Sequence, residues 1–409
     1  MQNSIYLSGQ AKNPTKKSSI LTPIVCQHHT ERQIVIKKIH IIIVLFIINI
    51  NGIYSQNKPN MFIDSLDNAL DLSHWLFNLH GILPIISPIT EPAVGYGAVG
   101  VGLYFISKEK TDDKQFKMPD IIGAGVGYTQ NGTWFGGVGY AGFWKDDKIR
   151  YRGVLGYGNI NLKYYGLGGS YLEKNPANFS IGSLFFLQQA VFRIKNSNFL
   201  LGGKYLYGQT KVNAFEDSKL PWVKPKDFDI KNSGVELIAE YESFNNILSP
   251  TKGIRTHISY TQFLEALGGD RNTGRLTFFT VGYVPITKKW SSGLRVESML
   301  ASGNTPFYLM PFVILRGVPA LRYQGELTML AETEQFVNVY KRWSVVGFGG
   351  IGNTIPKIDK MDFGTTAWNA GGGFRYLIAR LLGLQMGLDI ARGPEDWAVY
   401  VVFGNAWLR

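Results

Sequence analysis

From Ala93 to Trp407 the sequence alternates apolar side chains with small or polar ones, and this period-two pattern constrains the fold more than any other feature. About fifteen segments of roughly nine to sixteen residues follow one another. Between them lie turn residues such as Gln130-Asn131-Gly132, Lys145-Asp146-Asp147, Lys195-Asn196-Ser197-Asn198 and Lys288-Lys289. Within the segments, residue types sort by face. Leu384, Met386, Leu388 and Ile390 oppose Gln385, Gly387 and Asp389, and Val235, Leu237, Ala239 and Tyr241 oppose Glu236, Glu240 and Glu242. Leu327, Met329, Ala331, Val337 and Val339 oppose Thr328, Glu332, Glu334 and Asn338, while Arg295 and Glu297 share a face opposite Leu294 and Val296.

A soluble sandwich also alternates, but its strands are commonly about five or six residues long. Longer segments, rich in Gly (47), Tyr (21), Phe (25) and Trp (9) and with only 18% charged residues, fit a transmembrane barrel instead. Its apolar face meets lipid and its charged face lines the lumen. An open edge in hydrocarbon would leave backbone N–H and C=O groups unpaired, so the sheet has to close. Closure favours an even number, which predicts an all-β, sixteen-stranded antiparallel transmembrane β-barrel with one segment merged or missed, the stretch Asn159–Leu172 being ambiguous.

Ahead of the barrel, Lys37-Lys38 and the apolar run Ile39–Ile50 precede Gly52 and Ser55. That order reads as a secretory signal spanning 1–55, cut after Ser55, with a polar leader long enough to suggest an over-extended start. The run would have to extend through Asn49 and Asn51 to become a membrane anchor. The lone cysteine, Cys26, precedes that run within 1–55, so the mature chain is expected to fold without disulfides. Residues 56–92 hold a helical candidate at Ser65–Leu79, capped by Asp64 and Gly81, and then the proline-rich connector GILPIISPITEPAVGYG. The barrel domain is therefore expected to span 93–409.

Positive charge is scattered rather than concentrated in runs, which argues against nucleic acid as a partner. GYGAVG at 95–100 has the spelling of a dinucleotide loop, but its glycines continue through Gly102 in a strand-like segment with no helix after it; glycine that thins a strand is the better reading. No nucleophile elbow, zinc pattern or P-loop occurs, and nothing points to a metal or cofactor. His257, the only histidine after His80, is expected in the lumen beside Arg255. No enzymatic activity is expected.

One stretch breaks the alternation. Ser302 to Glu326 is a long loop containing PFYLMPFVIL at 306–315, too apolar to stand in solvent, and inside a barrel the surface available to it is the lumen wall. Arg316 follows in LRGVPALRYQGE. Buried there it would need carboxylates, which the next strand offers on its inward face as Glu332 and Glu334. The competing reading leaves Arg316 a solvated loop residue.

LRGVPALRYQGE, the inward glutamates and RWSVVGFGGIGN resemble the BamA/TamA superfamily of outer-membrane insertases and translocases, the surface-antigen family. LSPTKGIR (248–255), LGGD (267–270), GGGFRY (371–376) and LDIARG (388–393) look like its landmarks in family order. The resemblance is firm from 248 onward. It implies a loop motif of Arg316 and Gly317, with Val318 where an aromatic is common, and Glu334 as its acidic partner. Gly350 stands where many members place an aspartate, so Arg316 is expected to rest on Glu334 and Glu332 alone. It further implies a bacterial outer-membrane location, contact with outer-membrane lipid, and help in inserting or translocating proteins through a lateral seam. That seam would join a first strand at Ala93–Ile106, carrying Gly95, Gly97, Gly100 and Gly102, to a last strand at Asp396–Trp407, carrying Gly404 and Trp407. The 37 residues 56–92 are too few for the POTRA domains of such members, so a periplasmic or lipoprotein partner is expected in their place. A passive or gated pore and a structural, surface-exposed barrel are the alternatives.

Overall fold

The computed structural model describes residues 62–77, 82–106, 108, 119–166, 172, 176–214, 226–360 and 364–407. The expected signal segment at 1–55 lies outside these. Sixteen strands form one antiparallel sheet in chain order. They are β1 (Ile82–Ile89), β2 (Gly97–Ile106), β3 (Asp120–Thr129), β4 (Trp134–Trp144), β5 (Ile149–Tyr164), β6 (Ala177–Arg193), β7 (Phe199–Ala214) and β8 (Lys226–Glu242). Then come β9 (Gly253–Phe263), β10 (Thr273–Pro285), β11 (Trp290–Gly303), β12 (Leu327–Tyr340), β13 (Trp343–Ile355), β14 (Thr366–Ala379), β15 (Leu384–Arg392) and β16 (Trp397–Phe403). The sheet curls into a nearly closed barrel: β1 and β16 lie side by side, yet no ladder joins them among the described residues.

The fifteen segments read after Ala93 are β2 to β16. The sixteenth lies ahead of them, because ILPIISPI, expected as a connector, pairs along its whole length with β2. Proline is tolerated in a strand when its nitrogen faces an unpaired edge, and β1 is such an edge. The barrel thus begins at Ile82, not Ala93, and the expected first strand is the second.

The faces follow the alternation. Leu237 is 72% exposed on the outer surface, whereas its neighbours Glu236 and Ile238 are buried toward the lumen, as are Glu332, Arg375 and Asp389. His257 points inward on β9, its Nδ1 2.9 Å from Glu240, and Arg255 lies 3.6 Å from the same carboxylate.

The loop 304–326 fills part of the lumen. On one side Leu321 packs on Phe179 of β6 and Val212 of β7, joined by Phe307, Tyr308 and Phe312. On the other, Val313, Leu315, Val318 and Tyr323 pack on Leu330 of β12 and Ala367 of β14. Its apolar content is therefore satisfied by the two walls it bridges.

The helix expected over 65–79 starts late: among the described residues α1 covers Ser73–Phe77, and 78–81 lie outside them. Ahead of it, Asp64, Asp67 and Asp71 accept hydrogen bonds from the N–H groups of Leu66, Ala69 and Ser73. These local turns, with Asn68 at φ 53°, replace the helical bonds those N–H groups would have made.

If the outer face meets hydrocarbon, Leu237→Arg is expected to destabilise the barrel by about 2 kcal/mol or more, read from reversible urea unfolding in phosphocholine vesicles. Unchanged stability would place that face in water.

Candidate functional site: an arginine held across the lumen

Arg316 sits on the lumenal loop, where Gly317 turns the chain with φ 81°. A Cβ on Gly317 would lie 3.0 Å from the nitrogen of Gly393, and one on Gly393 only 2.3 Å from the oxygen of Gly317. Two glycines therefore let the loop touch the β15–β16 turn backbone to backbone. The N–H of Gly317 also donates to the Tyr400 hydroxyl on β16, at 2.8 Å.

So placed, the guanidinium meets three carboxylates. Nε donates to Glu332 at 3.2 Å, and Nη1 to Glu334 at 2.9 Å and to Asp389 at 2.8 Å. Phe348 on β13 stacks beneath it, with Cζ 3.4 Å from the ring centroid. The acids have partners of their own. Asp389 takes two bonds from Arg375, at 2.6 and 2.9 Å, while Glu332 accepts from Asn369 at 2.9 Å and from the Trp407 indole at 2.6 Å. Arg295 stands 3.6 Å from Glu332. Three cations facing three anions, nearly all withdrawn from water, hold only as a set, because a charge left alone there would be costly.

Glu332 and Glu334 both bond Arg316, and Val318 is buried in the apolar cluster with Leu315 and Leu330. The clasp is not limited to them, however. Gly350 pairs with Glu332 and Asn369, and a Cβ there would sit 2.9 Å from Ala331 oxygen and from Asn369 Oδ1, so the site has no space for an aspartate. Asp389, two strands away on β15, supplies the further acid. Its inward parity was visible in LDIARG; its proximity to the loop was not.

The expected seam residues lie elsewhere. Gly97, Gly100 and Gly102 are on β2, paired to β1 and to β3, and Gly95 precedes that strand at φ 79°. Beyond β16, Gly404 at φ 70° turns the chain inward, Asn405 accepts from the Tyr283 hydroxyl at 3.0 Å, and Trp407 is buried against Tyr283 and Glu332. The C-terminal residues thus form a hook into the Arg316 cluster rather than an edge.

A second cluster escaped the sequence reading. Arg342, in the β12–β13 turn, donates to Asp67 at 2.6 and 2.9 Å, to Asp71 at 2.6 Å and to Asp64 at 2.6 Å. Arg380, in the β14–β15 turn, also donates to Asp64. The segment 64–73 is thereby strapped to the rim from which β1 starts and at which β16 ends. Arg380 at Asp64 and Arg342 at Asp67 are the largest influences holding those carboxyls below the usual range. At Asp71 burial pushes upward, but hydrogen bonds from Ser73, Arg342 and Arg380 outweigh it and bring the group to about 2.

Residues 119–320 match the family model for the Omp85 superfamily domain. No curated protein matches the chain. Among solved structures, BamA from Haemophilus ducreyi lacking POTRA domains 1–3 aligns with a TM-score of 0.54 at 12% identity, over 80% of this chain and 70% of that one. CdiB from Acinetobacter baumannii aligns with a TM-score of 0.49 at 10% identity, over 79% of this chain and 59% of that one. The BamA match shares the sixteen-stranded fold; at this identity it speaks to fold alone.

Arg316→Ala leaves three acids short of a cation and is expected to cost about 3–5 kcal/mol, measured as lost resistance to unfolding in detergent. For the strap, depressed carboxyl values mean stability that is present above the unfolded value of about 4 and lost as pH falls through about 2. Amide exchange at Ser73–Phe77 should stay slow down to about pH 4 and rise below it, and Arg342→Ala should make it fast at neutral pH. Release already near pH 6 would contradict the assignment.

Proposed function

The chain belongs to the Omp85 superfamily through the domain at residues 119–320, and on that premise we propose that it resides in the bacterial outer membrane and assists insertion or translocation of proteins there. The route is a lateral seam between β1 and β16. The observation that carries this reading is the missing ladder: in a sheet whose other neighbours each share one, these two strands meet without one among the described residues. They are also short, with eight residues in β1 and seven in β16, against seventeen in β6 and in β8. A short, unladdered junction is where a barrel wall parts at least cost.

The lumenal loop counts against a passive pore, since it bridges opposite walls and is held by the Arg316 cluster. The rim from which β1 starts and at which β16 ends faces the periplasm in this reading. There the strapped segment exposes Ile63, Leu66 and Leu70 on a surface suited to a periplasmic or lipoprotein partner that delivers clients.

Disulfides engineered between β1 and β16 are expected to stop the protein from accelerating insertion of a urea-unfolded barrel protein into lipid vesicles, and reduction should restore it. Full acceleration with the lock closed would rule out the lateral route.

A further inference from the structure

Four neighbouring strands, β5 to β8, run for sixteen or seventeen residues, against eleven in β4 and in β9. At the rim opposite the strap β5 continues past its last pair with β4, Asn159 on Trp134. There the β3–β4 turn abuts it: Asn131 Nδ2 donates to the Asn161 carbonyl at 2.9 Å, and Asn161 N–H to Thr133 Oγ1 at 2.9 Å.

Along this rise the alternation reverses its sense. Nearer the middle of the wall Leu155, Tyr157, Leu184 and Phe186 are exposed on the outer face, and the Trp134 and Tyr157 rings, 5.5 Å apart, form part of an aromatic row of the kind that borders lipid. Beyond Tyr157 the outward positions become Asn161 and Lys163 on β5, their ladder partners Ser180 and Asn178 on β6, and Asn213 on β7. Between them Leu162, Phe179 and Val212 turn inward and pack with Leu321 of the lumenal loop. A wall that is polar outside and apolar inside stands in water, so these strand ends project above the hydrocarbon.

At the step between the turn and the raised strands lies a cavity of about 310 Å³, lined by Asn131, Asn161, Lys163, Asn178, Ser180 and Asn213. That volume is at the small end of the range for ligand sites. Among the described residues, no other side chain engages Lys163, Asn178 or Asn213, and no carboxylate lines the cavity. Amides both donate and accept, as sugar hydroxyls do, and an ammonium among them suits a phosphate. The apolar row of Tyr157, Leu184 and Phe186 begins directly below. A ligand matched to both surfaces is amphiphilic, with a sugar phosphate above and acyl chains beneath.

We propose that this cavity holds the head group of a phosphorylated glycolipid of the outer leaflet. Lys163 meets a phosphate, the asparagine amides and Ser180 meet sugar hydroxyls, and the acyl chains run down over Tyr157, Leu184 and Phe186. This rests on the outer-membrane location proposed above and on no part of the lateral seam. Because Phe179 and Val212 on the reverse of the same strands carry Leu321, the lipid outside and the loop inside share one stretch of wall.

Full-chain protein in detergent is titrated with lipid A, a diphosphorylated and acylated glucosamine disaccharide, and binding is read by native mass spectrometry. Lys163→Gln is expected to weaken binding about tenfold and Asn178→Leu about fivefold, the losses of a charge-assisted and of a neutral hydrogen bond. Lys288→Gln, in the β10–β11 turn at the other rim, should leave it unchanged. Heat-modifiable migration verifies that each variant is folded. Lipid A binding that survives Lys163→Gln and Asn178→Leu together overturns the site. Phosphatidylglycerol, with a phosphate but no sugar ring, is expected to bind about tenfold more weakly; equal binding overturns the role given to the amides. Glucosamine 1-phosphate binding as tightly as lipid A would make the occupant a soluble sugar phosphate and overturn the lipid assignment. Sedimentation of the expressed chain with the inner membrane would remove the location, and the inference with it, whatever binds in detergent. The disulfide lock across β1 and β16 is read independently of all these results.

Discussion

A guanidinium shared by Glu332, Glu334 and Asp389 is the interaction on which the interior of this barrel depends. Bringing these charges out of water is unfavourable, and their mutual attraction, with the hydrogen bonds the carboxylates accept from Arg316, Arg375, Asn369 and Trp407, offsets it. The pairing ties elements far apart in the chain to one point: the lumenal loop, β12, β13 through Phe348, β15, and the C-terminal hook through Trp407. The loop therefore has one way to lie in the lumen, and the last strand is held from inside by what the loop holds.

That anchoring makes the junction of β1 and β16 unequal. β16 is connected inward by Tyr400 and Trp407 and outward presents an unbroken row of backbone donors and acceptors. β1 carries prolines at alternate positions, and the chain ahead of it is strapped through Asp64, Asp67 and Asp71 to the turns after β12 and β14. The strap and the end of β16 thus meet the same rim, where Arg380 holds Asp64 and Gln385 accepts from Gly404.

The alternation made the barrel and its faces legible because a lipid-facing strand and a lumen-facing charge leave opposite marks on a period of two. β1 escaped because ILPIISPI is apolar on both faces and its prolines read as a break. Their shared parity was the available sign of an edge. Arg316, Glu332 and Glu334 could be brought together from a loop too apolar for water and from inward parity on the following strand. Asp389 had the same parity, but which strands curve toward the loop is decided by the sheet as a whole. The spacing of Asp64, Asp67 and Asp71 imitates a helix, whereas in the fold it encloses an arginine some 270 residues away, a partner that no local pattern announces. Trp407, expected on an edge, turned inward because Gly404 ends β16 three residues earlier.

The most direct test of this account is the coupling energy between Arg316 and Asp389, from a double-mutant cycle of Arg316→Ala and Asp389→Ala in reversible unfolding from lipid vesicles. A coupling of about 2 kcal/mol or more is the expected result for charges bonded in one buried network. Additive losses, within about 0.5 kcal/mol, would mean that the loop is not held to β15 and that the interior arrangement described here is wrong.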